Sequence, residues 1–319
     1  MDDALSAGGA PEPSQMRKQA SPRAREVRRG HLAMLAFSAL VAGSFSLGSM
    51  ASPFVDPAAL TTLRFLIAGM VVGAAALATT GIRRRDFAAP WRYGVLGVLL
   101  ALYFVLMFEG LKTAAPVSTA AVFTLTPIMT ALFGWMLLRQ RTTPRMGLAL
   151  AIGGAGAVWV IFRADWQAMA AFEIGRGEMI YFWGCLAHAI YAPMVRKLNR
   201  GEPAIVFTFG MMVAGFTMLA LWSWPAIRAT DWAGLPGIVW ITLIYVSIAA
   251  SSVTFVLLQY ATLRLPSAKV MAYTYLTPSW VILWEIALGR SAPPVMVLTG
   301  VAMTVLALLL LLKDEEKPL

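Results

Sequence analysis

Three charged residues, Arg64, Glu109 and Glu285, lie inside long apolar runs of this chain, and their rarity there makes them the first candidates for chemistry. A charge carried to the middle of a bilayer costs about 2.5 to 3.5 kcal/mol on insertion scales, so such a side chain pairs, snorkels or lines a polar path. Counted along their helices, Arg64 falls in the outer half of the second apolar run and Glu109 two residues from the outer end of the third. Glu285 lies seven residues, about 10 Å of helix, beyond Pro278 and on the same face. Matched depth predicts one ionic cluster in which Arg64 pairs with Glu285 or Glu109, with Lys112 at its rim. Such a pair either holds helices together or forms a proton site or outer gate, which makes protons a candidate coupling ion. Lys269, near the inner end of the ninth run, reads as snorkelling to headgroups.

A second set is polar, aromatic or helix-breaking. The tripeptide Leu125-Thr126-Pro127 returns 151 residues later as Leu276-Thr277-Pro278, each copy in the middle of an apolar run. Each proline frees a carbonyl one turn earlier, at Phe123 and Thr274, which is costly without water unless a neighbour repairs it or it faces a cavity. One such proline reads equally as a packing kink; two at related midpoints favour Pro127 and Pro278 as hinges, with Thr126 and Thr277 as polar contacts. Tyr273, Thr277, Trp280 and Trp284 share one helical face, which suits a planar ligand or simple helix packing. Tyr181, Gly184, His188 and Tyr191 share another, on which His188 reads first as a hydrogen-bonded packing residue. Ser44, Tyr103, Phe123, Ser251 and Thr254 complete the expected lining.

The elements that must carry these residues follow from composition. The 319 residues are 59% hydrophobic and 13% charged, half the charge of an ordinary soluble domain. An apolar span takes about 20 residues, leaving room for about ten and little else. They read as His31 to Met50, Pro57 to Thr79, Tyr93 to Leu111, Pro116 to Leu138 and Thr143 to Phe162. The second group is Glu178 to Val195, Pro203 to Trp224, Gly237 to Tyr260, Ser267 to Leu288 and Pro293 to Leu312. Residues 1–30 read as a disordered basic tail without a signal-peptide cleavage pattern, and 313–319 as a second short tail. The connection 163–176 is too short for a catalytic domain. If the N-terminus is cytoplasmic, inner segments hold 19 Lys and Arg and outer ones five. That bias predicts both termini inside. It also accounts for the net charge of +10 without nucleic acid. The lone Cys185 excludes a disulfide framework and a thiolate metal site. The small-residue run from Gly147 to Gly156 reads as close helix packing.

The windows around the two Leu-Thr-Pro copies match at six of 21 positions, and each copy sits in the fourth span of a five-span half. Five is odd, so the second half crosses in the opposite sense. The fold expected is therefore all-α: a ten-helix 5+5 inverted repeat, 31–162 and 177–312, joined by 163–176.

With these pieces in place the chain resembles the EamA-type transporters of the drug/metabolite transporter superfamily. The resemblance rests on Gly43-Ser44, Leu63-Arg64-Phe65-Leu66 with Ala68-Gly69, Gly110-Leu111-Lys112-Thr113 and Thr126-Pro127. In the second half it rests on Ala189-Ile190-Tyr191, Arg196-Lys197-Leu198 and Tyr275-Leu276-Thr277-Pro278. Two departures stand out: Ala42 replaces a Trp often found before the first-span Gly, and Gln140 and Arg290 replace Glu residues that often end the fourth and ninth spans. The resemblance implies export of amino acids, related metabolites or drugs across the inner membrane.

Other functions fit less well. Two His and few membrane carboxylates argue against an intramembrane enzyme or metal site, and no Gly-Lys-Ser/Thr phosphate loop is present for an ATP-driven pump. Neither a cofactor nor an obligate protein partner is called for. A facilitator or importer of a planar vitamin-like or nucleobase-like compound would use the same scaffold, and a membrane sensor or scaffold is the non-transport alternative. Reporter fusions placed after Leu319 and within 163–176 should report opposite sides of the membrane; the same side for both would contradict the topology.

Overall fold

In the computed structural model residues 22–313 are described, with side chains from 25 to 312, and every regular element among them is helical. The helices are α1 Pro22–Ala51, α2 Pro57–Thr79, α3 Trp91–Leu111, α4 Pro116–Phe123, α5 Thr126–Leu138, α6 Pro144–Ile161 and α7 Trp166–Ala170. They continue with α8 Arg176–Leu198, α9 Ala204–Trp222, α10 Trp224–Ala229, α11 Gly237–Ser247, α12 Thr254–Thr262, α13 Ser267–Ala272, α14 Thr277–Ala287 and α15 Val295–Lys313.

Helix starts follow local chemistry. Asp56 caps α2 by accepting from the backbone N–H of Ala58 and Ala59, and Thr143 caps α6 by accepting from Met146; each is followed by a proline at the first helical position. One expectation needs correction at the N-terminus. Helix α1 begins at Pro22, so residues 22–30 extend the first helix instead of belonging to a disordered tail. Glu26 reaches Arg264 at 3.4 Å and Gly30 packs against Leu265, contacts that give this turn something to fold onto. Residues 1–21 and 314–319 of the expected tails lie outside the described residues.

Among the described residues eight helices are long and apolar enough to cross a membrane, counting Pro116–Leu138 and Gly237–Thr262 as single spans. Helix α8 has the length, but Tyr181, His188, Tyr191 and Pro193 dilute its apolar run. The segment Ser267–Ala287 is broken into α13, a 3₁₀ turn at Tyr273–Leu276, and α14. Pro278 and Pro127 cause the matching breaks: α4 stops at Phe123 and α5 restarts at Thr126. A third irregularity is a π-helical stretch, Ile248–Val253, between α11 and α12, where Ser252 Oγ donates to the Ser247 carbonyl five residues back.

Helix pairs follow a pattern: α2 packs on α9, α6 on α15, α3 on α8 and α1 on α12, while α5 meets α8, α14 meets α1, and α5 meets α13. Glycines set the closest approaches. A methyl group at Gly97 would stand 2.7 Å from the Gly215 backbone nitrogen, and one at Gly156 would stand 2.6 Å from the Gly300 carbonyl. Within the small-residue run of α6, Gly153 takes the ring of Tyr275 and Gly156 takes α15, so this run does serve packing. The surface is apolar, with Leu132, Trp135, Leu148, Leu221, Ile241 and Val295 exposed, while Ser44, Arg64, His188 and Thr254 are buried. That reverses the usual arrangement of a protein folded in water.

At one end of the bundle an ion pair unforeseen in the sequence ties α3 to the α8–α9 connection. Arg92 Nη2 donates to Glu202 Oε1 at 2.6 Å and Nη1 donates to the Leu198 carbonyl at 2.6 Å, with both side chains buried. Burial alone would push the Glu202 carboxyl up. Hydrogen bonds from the Arg92 guanidinium and the Arg200 backbone N–H outweigh it and hold the group below its ordinary 4.5. Because the folded-state value is depressed, the stabilisation is complete above the ordinary carboxylate value and is lost as pH falls through the lower, folded-state value. Glu202→Gln should therefore cost about 3 kcal/mol at neutral pH. In chemical unfolding across a pH series, the gap between wild type and variant should close on acidification below 4.5. A gap independent of pH would contradict the assignment.

Candidate functional site

The structure gathers polar and aromatic side chains from α1, α2, α3, α4, α8, α12 and the π-helical stretch into one buried cluster. Tyr103 on α3 is its hub. Its ring stacks on His188 at 4.4 Å, lies 5.6 Å from Phe123 and 4.6 Å from Phe104, and its hydroxyl accepts from Tyr181 at 3.0 Å. His188 also stacks with Tyr191 at 5.9 Å, whose hydroxyl accepts from Gln259 Nε2 at 3.3 Å. Phe45 of α1 closes the cluster against Phe123 and Tyr181. The Cys185 thiol lies beside the Tyr181 and Thr126 hydroxyls.

Arg64 borders this cluster and is 0% exposed. Its Nε donates to Ser251 Oγ at 2.6 Å and its Nη2 to the Ala250 carbonyl at 2.8 Å, while the ring of Phe104 lies 3.5 Å beneath the guanidinium carbon. Here the structure corrects the sequence expectation of an ionic cluster. Glu109 takes a 2.7 Å bond from Lys112, three residues on, and Glu285 takes a 2.9 Å bond from Arg290. Equal depth along three helices brought none of these carboxylates round to face Arg64.

The two Leu-Thr-Pro threonines also part company. Thr126 Oγ1 donates at 2.5 Å to the Phe123 carbonyl that Pro127 frees, so its hydroxyl repairs the backbone. Thr277 Oγ1 is buried without a protein partner; in its half the Thr274 carbonyl accepts from the Thr277 backbone N–H, and Thr304 bonds the next carbonyl, that of Tyr275. The aromatic face of the ninth segment packs on α1: Tyr273 hydroxyl bonds His31 Nδ1 at 3.0 Å and Trp280 Nε1 donates to Ser38 Oγ at 3.3 Å. Tyr273 and Trp280 thus bond to α1, whereas Phe123, Tyr191 and Ser251 join the cluster.

Several buried polar atoms have no protein partner: Arg64 Nη1, His188 Nδ1, Ser44 Oγ, Ser247 Oγ, Thr254 Oγ1 and Gln259 Oε1. Each is a donor or acceptor left over inside the bundle, where an unmade bond is expensive. Stacked rings beside unspent polar atoms can hold a small ligand with a flat apolar part and a polar head. No three His, Cys, Asp or Glu side chains among the described residues stand close enough to hold a metal. Gln259, Phe104 and Phe45 were missed in the sequence. Gln259 was detectable, since an amide within an apolar span is nearly as costly as a charge, but an apolar Phe carries no such mark.

A polar, aromatic-lined centre inside a multi-pass helical bundle is the arrangement a transporter requires. The chain is a member of the EamA-like transporter family, whose profile matches twice, at 28–162 and 175–313. It is 22% identical over 262 residues to the uncharacterized transporter YyaM of Bacillus subtilis (strain 168), covering 81% of this chain and 86% of that one. It is 28% identical over 191 residues to the aromatic amino acid exporter YddG of Ancylobacter novellus, covering 60% of this chain and 64% of YddG. A solved crystal structure of a protein with 23% identity superposes with a TM-score of 0.67 over 91% of this chain and 97% of the other, a likeness of fold.

The contrast between the two threonines is measurable. Thr126→Val should lower stability by about 1 to 3 kcal/mol by leaving the Phe123 carbonyl unpaired, whereas Thr277→Val should leave thermal unfolding nearly unchanged. Equal losses in the two variants would contradict the assignment of Thr126 to backbone repair.

Proposed function

We propose that the chain is a secondary transporter that exports amino acids or similar small amphipathic metabolites across the inner membrane by alternating access. The observation that carries this reading is the buried cluster of stacked Tyr103, His188 and Tyr191 beside unpartnered polar atoms, at the meeting point of the family's two repeats. The name of YddG as an aromatic amino acid exporter supports both the substrate class and the direction.

The architecture we assign to this activity is ten spans in a 5+5 inverted repeat with both termini cytoplasmic. Helix α8 and the broken α13–α14 segment add two spans to the eight counted above. Exchanging the halves turns the α3–α8 pair into the α12–α1 pair and the α5–α8 pair into the α14–α1 pair, and leaves α2–α9 and α6–α15 unchanged. The charge bias of 19 to five supports the orientation. Helix breaks at Pro127, at Pro278 and in the π-helical stretch are the hinges at which one half moves against the other. Glu285 carries the coupling proton: it is buried, its Oε1 has no protein partner, and its Oε2 meets Arg290, which is 43% exposed at the side chain.

Counterflow of labelled L-phenylalanine in proteoliposomes tests the transport reading, with accumulation above protein-free vesicles expected and none contradicting it. In the same vesicles an inward-acid pH gradient should drive uptake by the wild type. Glu285→Gln should keep exchange but lose that gradient-driven accumulation; an unaltered pH response would remove Glu285 from the coupling.

A further inference from the structure

Arg64 is a full positive charge inside the bundle with no carboxylate partner among the described residues. The four buried carboxylates are each engaged elsewhere: Asp86 accepts from the Arg83 backbone, Glu178 from Ser118, Glu202 from Arg92 and Glu285 from Arg290. The guanidinium meets instead the Ser251 hydroxyl, the Ala250 carbonyl and the Phe104 ring. Neutral dipoles and one aromatic face soften the burial of a cation, but they leave the charge itself standing.

The fork of the guanidinium shows what is missing. A planar guanidinium offers two edges that can take a carboxylate through two parallel bonds: the Nε/Nη2 side and the Nη1/Nη2 end. Protein fills the side edge, through Ser251 Oγ on Nε and the Ala250 carbonyl on Nη2. Phe104 covers one face. The end edge keeps Nη1 without any partner, together with the second hydrogen of Nη2. The held side edge fixes the plane of the fork, and the Phe104 ring beneath it joins the guanidinium to the Tyr103 ring, 4.6 Å further on.

We propose that Arg64 is the docking cation of the transport site and that its Nη1/Nη2 edge receives a substrate carboxylate, whose apolar part lies against the Tyr103 cluster. This rests on the transporter reading and narrows it: the substrates are carboxylates of zero or negative net charge, and cationic amphiphiles are rejected by an unneutralised guanidinium. The same contact links substrate to a hinge, because Nη2 also holds the carbonyl of Ala250 within the π-helical stretch. Drawing the guanidinium toward a carboxylate loads that bond, and the π-helical turn is the part of the span able to yield.

Three probes with one ring separate the charges: L-phenylalanine, 3-phenylpropanoate and 2-phenylethylamine, read by binding to the detergent-purified full chain and by flux in proteoliposomes. Wild type should bind and carry the two carboxylates and refuse the amine. Arg64→Gln should weaken carboxylate binding about 10- to 100-fold, the worth of a charge-assisted bidentate pair. It should also admit 2-phenylethylamine. Arg64→Lys, which keeps the charge without the fork, should fall between them and serves if the Gln variant does not fold. If carboxylate binding and flux survive in a folded Arg64→Gln protein, the docking role is overturned while the transporter reading stands. Arg64-dependent binding of carboxylates without flux of any probe would uphold the site and overturn transport. If chloride alone stabilises wild type through Arg64 and 3-phenylpropanoate adds nothing, the edge holds an inorganic anion and the substrate assignment fails.

Discussion

Inside a bilayer no water is at hand to complete a hydrogen bond, so every polar group in these spans is answered by protein, answered by a ligand, or left at high cost. The helix breaks show how protein groups supply those answers. Where Pro127 frees a carbonyl, Thr126 closes it; where the ninth segment breaks, Thr304 reaches the Tyr275 carbonyl; in the π-helical stretch, Arg64 takes the Ala250 carbonyl and Ser252 takes that of Ser247. The helix breaks and the side chains that repair them are one design. Around Tyr103 the accounting stays open on Arg64 and His188, whose unpartnered atoms border the stacked rings to which we assign the ligand.

Packing keeps this centre both closed and movable. Backbones touch at Gly97 and Gly215, at Gly110 and Gly177, and at Gly156 and Gly300, so whole helices lie against one another without intervening side chains. Such smooth contacts tie α3 to α8 and α9, and α6 to α15, into firm groups. The two proline-broken segments, in contrast, pack on each other, α13 on α5 and α14 on α4, so that a movement at one break is felt at the other. Phe123, the last residue of α4, is at once the end of a helix and a wall of the cluster.

Much of this could be read from the chain before any coordinates. Proline after a cap marks the start of α2 and α6, repeated Leu-Thr-Pro marks two breaks, and His188 with Tyr191 lies on one face because 3.6 residues make a turn. What a sequence supplies is depth along a helix and the face a residue occupies; which neighbour stands opposite is a property of packing. For that reason depth alone pairs Arg64 with carboxylates that in fact turn toward Lys112 and Arg290, and a shared face does not disclose that Tyr273 and Trp280 bond to α1. Arg92 was counted among the topogenic charges, yet it is buried on Glu202, a contact between segments 110 residues apart that no local pattern announces.

The chain supplies its own reporter for the central claim that this buried cluster is a transport site opened in turn to each side of the membrane. Cys185 is the single cysteine, is fully buried, and stands beside Tyr181 and Thr126. In sealed vesicles of defined orientation, a membrane-impermeant methanethiosulfonate reagent added to one side or the other should modify Cys185 slowly from both, with a carboxylate substrate protecting it. Modification from one side only, or from neither, in protein that remains folded would contradict alternating access to this site.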